Sequence, residues 1–152
     1  MTATRRNGRG QAALAAAVIA NLLGWALPVI DDYRGWQAFR VAFSPVWPFE
    51  QFKLEPGLLM TLSVASALTN AVFVVLAVAL VAGFARTTVR ARVVLWVAAG
   101  AALLDLHWPI SMGKNSVELE PGYFIWVGSF ALLALAAFFA VRDAADRRRG
   151  AP

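Results

Sequence analysis

Cysteine is absent from the 152 residues, which excludes disulfides, thiolate metal sites and thiol redox chemistry. Histidine occurs once, as His107, so a His-rich metal centre cannot form within one chain. Charge is scarce as well: 15% of the residues are Asp, Glu, Lys or Arg, against 60% hydrophobic, a balance far from that of water-soluble domains. A soluble chain of this length has too little interior to hide that much apolar surface. Phosphate loops, nucleophile elbows, His-Glu metal motifs and paired carboxylates within an apolar run are also missing. Enzymatic activity is therefore the weaker expectation, and no cofactor and no metal is expected.

Four apolar runs are present, near 11–30, 58–84, 93–111 and 123–141, each meeting the requirement of roughly 20 residues for a helical span. The expected fold is all-α: a single polytopic membrane domain built as a four-transmembrane-helix bundle. Arg5, Arg6 and Arg9 before Ala12–Ala20 imitate a secretory signal, but the run continues through Leu22, Leu23, Trp25, Leu27, Val29 and Ile30, too long for an h-region. A pI near 10.7 invites a nucleic-acid reading; the arginines instead flank apolar runs in short clusters, as membrane anchors do, and no nucleic acid is expected as a partner. Arg5, Arg6 and Arg9, then Arg86, Arg90 and Arg92, then Arg142 and Arg147 to Arg149 fall on one side of such a bundle. The other side has only Arg34, Arg40, Lys53 and Lys114 beside Asp31, Asp32, Glu50, Glu55, Glu118 and Glu120. The positive-inside rule then predicts a multi-pass membrane protein with both termini in the cytoplasm.

The first outer connection, 31–57, carries Trp36, Phe39, Phe43, Trp47, Phe49 and Phe52 among its charges. Trp36, Phe39, Ala42 and Phe43 recur at helical spacing, which predicts a short helix lying in the headgroup layer; Ser44-Pro45 and Trp47-Pro48 stop it. An aromatic belt that only seats the bundle at the interface accounts for the same residues. Leu54-Glu55-Pro56-Gly57 and Leu119-Glu120-Pro121-Gly122 precede the second and fourth runs, as two related hairpins would, although Glu and Pro suit any helix start.

Few polar residues interrupt the spans. Ala12, Ala16, Ala20 and Gly24 predict a ridge of small side chains for close helix packing. Asn21 and Asn70 fall near mid-span, where an amide needs a partner, and are expected to face the interior within reach of each other. Ser63, Ser66 and Asn70 form a polar stripe on the second run. Asp105 is the one acidic residue within an apolar run, and an intramembrane carboxylate is a functional candidate by default. Arg34, Arg40, Lys53 and Lys114 are its candidate counter-ions; a structural ion pair or hydrogen bond fixing the outer loop stands level with a proton- or ligand-linked role. His107, two residues on, points to another helix face and is placed to meet Glu118 or Glu120.

Pro121-Gly122-Tyr123-Phe124-Ile125-Trp126 followed by Ser129-Phe130, together with Gly35-Trp36 and Thr69-Asn70, resembles a recurring feature of small uncharacterised bacterial four-span inner-membrane proteins. The resemblance implies the fold and brings no activity with it. The outline is also similar to four-span immunity proteins and small multidrug transporters, but Asn21 stands at the depth where such transporters carry a glutamate, which argues against proton-coupled antiport. The leading expectation is a protein acting by interaction, as an accessory subunit or partner-binding protein, through an acidic and aromatic outer face that includes Trp36 and Arg40. Its partners are the lipid bilayer and either another membrane protein or further copies of itself. An oligomeric transporter or channel using Asn21, Ser66, Asn70 and Asp105 is one alternative, and a lipid-binding or lipid-modifying protein is another.

Overall fold

Proline sets where the first helix stops. Pro28 has no amide hydrogen to continue a helix and disfavours the helical region for the residue before it. Helix α1, Gly8–Ala26, ends there rather than at residue 30. The computed structural model describes residues 8–30, 32–47, 57–112 and 119–149. Beyond α1, Pro28–Ile30 (β1) and Tyr33–Arg34 (β2) form a small antiparallel ribbon. Ile30 bridges Leu119, and the Glu120 amide donates to the Val29 carbonyl at 3.0 Å. The two connections at this end of the molecule are thereby pinned to one another.

Helix α2, Gly35–Ala42, forms where the aromatic spacing predicts it. The Gln37 side chain accepts from the Arg34 amide at 2.9 Å, the reach-back half of a capping box. Gly35 is required by close approach, because a Cβ there would run into the backbone of Gly24 and Trp25. Helix α3 spans Leu58–Val81, and a 3-10 turn at Phe84–Arg86 leads into α4, Thr88–Asp105. Thr87 caps α4 by accepting from the Arg90 amide at 3.4 Å. Leu106 separates α4 from α5, His107–Met112. Helix α6, Pro121–Arg149, begins on a proline, which suits a first helical position, and runs past the expected 141 to include the arginine tail.

Among the described residues, three helical stretches are long and apolar enough to cross a membrane: Leu58–Val81, Thr88–Ile110 and Pro121–Arg149. The polar opening Gly8-Arg9-Gly10-Gln11 keeps α1 outside that group. The buried set is rich in alanine, and many large apolar side chains are exposed, unlike the soluble pattern. Ala17, Ala67, Ala91, Ala98, Ala136 and Ala137 are buried, while Ile19, Leu22, Val74, Val75, Trp96 and Leu103 are each at least half exposed. Small residues inside and large apolar ones outside are what helices surrounded by hydrocarbon require, since close backbone approach rather than water exclusion holds them together.

Helix α6 is the hub. Both α1 and α4 lie along it, and α3 packs chiefly on α4. Gly10 sits against Phe139 and Gly24 against Trp126, so α1 runs antiparallel to α6. A Cβ on Gly24 would come within 2.6 Å of the Trp126 Cβ. The buried face of α1 is Ala13, Ala17, Asn21 and Gly24, one position away from the expected ridge, of which Ala12 and Ala16 are exposed. A strict four-residue interval drifts around a helix of 3.6 residues per turn, and Asn21, which must find a partner, turns its own face inward. Further in, Phe73 meets Phe130 edge to face at 5.3 Å, among Val94, Leu133 and the alanines. At the far end Arg147 donates to the Arg86 carbonyl at 3.3 Å, and Arg90 stacks over Phe84 at 5.0 Å.

Several expectations lie outside the described residues: those on Arg5, Arg6, Asp31, Phe49, Glu50, Phe52, Lys53, Lys114 and Glu118, and on the first copy of the Leu-Glu-Pro-Gly repeat up to Pro56.

Candidate functional site

Asp105, the last residue of α4, is fully buried. Its Oδ1 accepts from the Ser66 hydroxyl at 2.8 Å. The Thr69 hydroxyl oxygen lies 3.2 and 3.1 Å from the two carboxyl oxygens and 2.5 Å from the Ser66 carbonyl. Tyr123 of α6 donates its hydroxyl to the Asp105 backbone carbonyl at 2.8 Å. Among the described residues, hydroxyls rather than the expected cation therefore surround this carboxyl group, Lys53 and Lys114 lying outside them. Arg34 and Arg40 are exposed. The physical reason is position: the carboxyl group faces the Ser66–Thr69 turn of α3, and hydroxyls on a packed helix desolvate at less cost than a guanidinium.

The same stripe of α3 presents a second set of polar atoms. Asn70 Oδ1 accepts from two indoles, Trp25 of α1 and Trp126 of α6, each at 3.0 Å, and its amide nitrogen donates to the Ala67 carbonyl at 3.2 Å. Ser66 Oγ accepts from the Trp108 indole at 3.2 Å while donating to Asp105. One helix face thus holds three tryptophans from three other segments. Asn21 does not reach Asn70: it donates to Ser129 Oγ at 3.1 Å, and Ser129 donates in turn to the Trp126 carbonyl at 2.6 Å. The two amides are connected through Trp126, and no hydrogen bond among the described residues joins them directly.

These rings enclose a cavity of 290 Å³. Ser66, Ala67 and Asn70 of α3 form one wall, Gly24 and Trp25 of α1 another, and Tyr123 and Trp126 of α6 a third. Trp108 and the ribbon residues Val29, Ile30 and Tyr33 close one end. Helix α2 forms the roof through Ala38, Phe39, Val41 and Ala42. Phe39 anchors that roof, its ring 5.4 Å from Trp25 and 5.7 Å from Phe43. The lining is mostly apolar, and its polar side chains are already engaged. Ser66, Asn70, Tyr123 and the three indoles all spend their hydrogen bonds on the protein; Tyr33 stands at the exposed rim.

The sequence candidates consequently divide. Ser66 and Asn70 line the cavity, and Asp105 lies behind Ser66, outside the lining. Asn21 supports Trp126 through Ser129. Trp36 and Arg40 occupy the exposed side of α2, away from the cavity. His107 is buried, its Nδ1 paired with the Leu104 carbonyl at 2.9 Å and its ring 4.8 Å from Trp108; Nε2 has no hydrogen-bond partner among the described residues. Sequence reasoning missed Trp25, Thr69, Trp108, Tyr123 and Trp126 as members of the site. A signal existed, since an indole N–H within an apolar run needs an acceptor, and Ser66 and Asn70 supply acceptors on one helix face. No family model, curated protein or solved structure matches this chain.

Proposed function

We propose that the chain is a four-span protein of the bacterial inner membrane that acts by binding, through the cavity beneath α2. Helix α1 is the fourth span. It lies antiparallel along the whole of its length against α6, and a helix packed on a spanning helix occupies the same depth. Its 19 residues reach about 28 Å at 1.5 Å per residue, close to the roughly 30 Å hydrocarbon thickness. Arg9, Arg86, Arg90, Arg92, Arg142 and Arg147 to Arg149 gather at one end of this arrangement, which the positive-inside rule assigns to the cytoplasm. The α2 end is then the outer one, and α2 lies in the headgroup layer with Trp36 and Arg40 toward the aqueous side.

The observation that carries the binding function is the cavity itself. A void of this size among close-packed helices forfeits dispersion contacts and collapses unless something holds it open. Here hydrogen bonds fix the three indoles that frame it. The enclosed position of Asp105, behind Ser66 and off the cavity wall, favours binding over conduction. Native mass spectrometry of the purified protein tests this reading. The wild-type chain is expected to retain a non-covalent ligand that is lost when Ala67→Phe or Ala38→Phe fills the cavity from opposite walls. A wild-type protein that carries the same adducts as both filled variants contradicts it.

A further inference from the structure

Resting on that binding function, we infer that the occupant is one acyl chain of an outer-leaflet phospholipid, admitted between α1 and α3. The route is visible in which residues continue the cavity walls. On α3 the lining stripe Ala67 and Asn70 is extended one turn by Val74, which is 60% exposed. On α1 the stripe through Trp25 is extended by Leu22, 64% exposed, and Val18. Residues three, four and seven apart share a helix face, so the faces that enclose the cavity under α2 are open further down. Contacts between α1 and α3 are slight, and Trp25 to Asn70 is the one hydrogen bond among the described residues that joins them. The cavity is thus the roofed end of a furrow whose lower part is open to hydrocarbon.

The chemistry of the lining selects the ligand. Ser66, Asn70, Tyr123 and the indoles have committed their polar atoms to each other, to the Asp105 carboxyl group and to backbone carbonyls. A peptide segment would bring backbone amides and carbonyls that find no partners there, which hydrocarbon penalises. A methylene chain brings none. At 290 Å³ the space lies just below the roughly 300–1,000 Å³ of small-molecule pockets. It accommodates a stretch of one chain, with the headgroup left at the rim beside Tyr33.

The test uses the full chain in nanodiscs containing a phospholipid with a diazirine on one acyl chain, with adducts mapped by mass spectrometry after illumination. Adducts are expected on the cavity residues Trp25, Ala67 and Phe39 as well as on the lipid-facing controls Val75 and Leu103. Ala67→Phe, or Ala38→Phe should the first not fold, is expected to abolish the cavity adducts and leave the controls. Labelling confined to Val75, Leu103 and similar positions in the wild-type protein overturns the lipid assignment. If native mass spectrometry then finds a bound species other than phospholipid, the binding function stands without it; if it finds nothing, both fail. Cavity labels that persist in the filled variants equally overturn the assignment.

Discussion

The two ends of the bundle are built on different principles. Toward the arginine end, α1, α4 and α6 meet through Ala13, Ala91, Ala98, Ala136 and Ala137, with Val94, Leu80 and Leu133 filling the spaces between. Toward the α2 end the interior holds Asp105, Ser66, Thr69, Asn70 and Asn21, with Trp25, Trp108, Trp126 and Tyr123 hydrogen-bonded to members of that set or to their backbone. Small residues let backbones close on each other in the first region. Large rings fixed by directional bonds cannot collapse onto one another, so the second keeps its space. Affinity between helices at one end and an open cavity at the other follow from the same chain by a change in residue size and polarity.

Substitutions that exchange these principles break the comparison, and the largest effect is expected at Asp105. Asp105→Ala leaves the Ser66 hydroxyl without its acceptor and Thr69 with the Ser66 carbonyl alone, opens a void where a fully buried side chain stood, and should lower stability by about 2–4 kcal/mol, measured by thermal unfolding in nanodiscs. Asp105→Asn, which keeps an acceptor, should cost less than half as much. Gly24→Ala comes next: its Cβ has no room against Trp126, and forcing α1 away from α6 should cost about 1–3 kcal/mol. Gly100→Ala, with nothing within 4 Å of the added Cβ, should be neutral or stabilising by up to about 1 kcal/mol, and the difference between the two is the sharper readout. Asn70→Leu releases two indoles at about 0.6–1.7 kcal/mol per interhelical bond and should shift tryptophan emission and reduce ligand retention together. The smallest effect belongs to the arginine end. Arg147→Ala removes an exposed bond to the Arg86 carbonyl and should change stability by less than about 0.5 kcal/mol.

The long helices were legible because apolar runs are long-range, redundant signals. The α2 helix was legible for a local reason, the spacing of Trp36, Phe39, Ala42 and Phe43. The ribbon was not: strands of three and two residues are shorter than any period a sequence can display. The face of α1 was misplaced by one residue because alanines at 12, 13, 16 and 17 satisfy two registers equally, and only the contact with Trp126 and Ser129 chooses between them. Asp105, Ser66 and Asn70 stood out as polar residues in apolar runs, but their partners did not. A cation is the expected companion of a buried carboxylate, whereas hydroxyls from a neighbouring helix serve when geometry brings them within 3.2 Å. Tryptophans near span ends read as interfacial anchors, and the acceptors that Ser66 and Asn70 offer on one helix face are the one signal that some of them turn inward. The cavity itself has no sequence signal, being a space bounded by six separate segments.

Fluorescence quenching by phospholipids brominated along one acyl chain puts the central claim to the most direct test. Replacing Trp36, Trp47 and Trp96 by Phe leaves only the three indoles that frame the cavity. In nanodiscs of brominated lipid those indoles should be strongly quenched, and Ala67→Phe should restore much of their emission while the fold is kept. Emission from Trp25, Trp108 and Trp126 that is unaffected by bromine, or quenching that Ala67→Phe leaves unchanged, would contradict an acyl chain within the cavity.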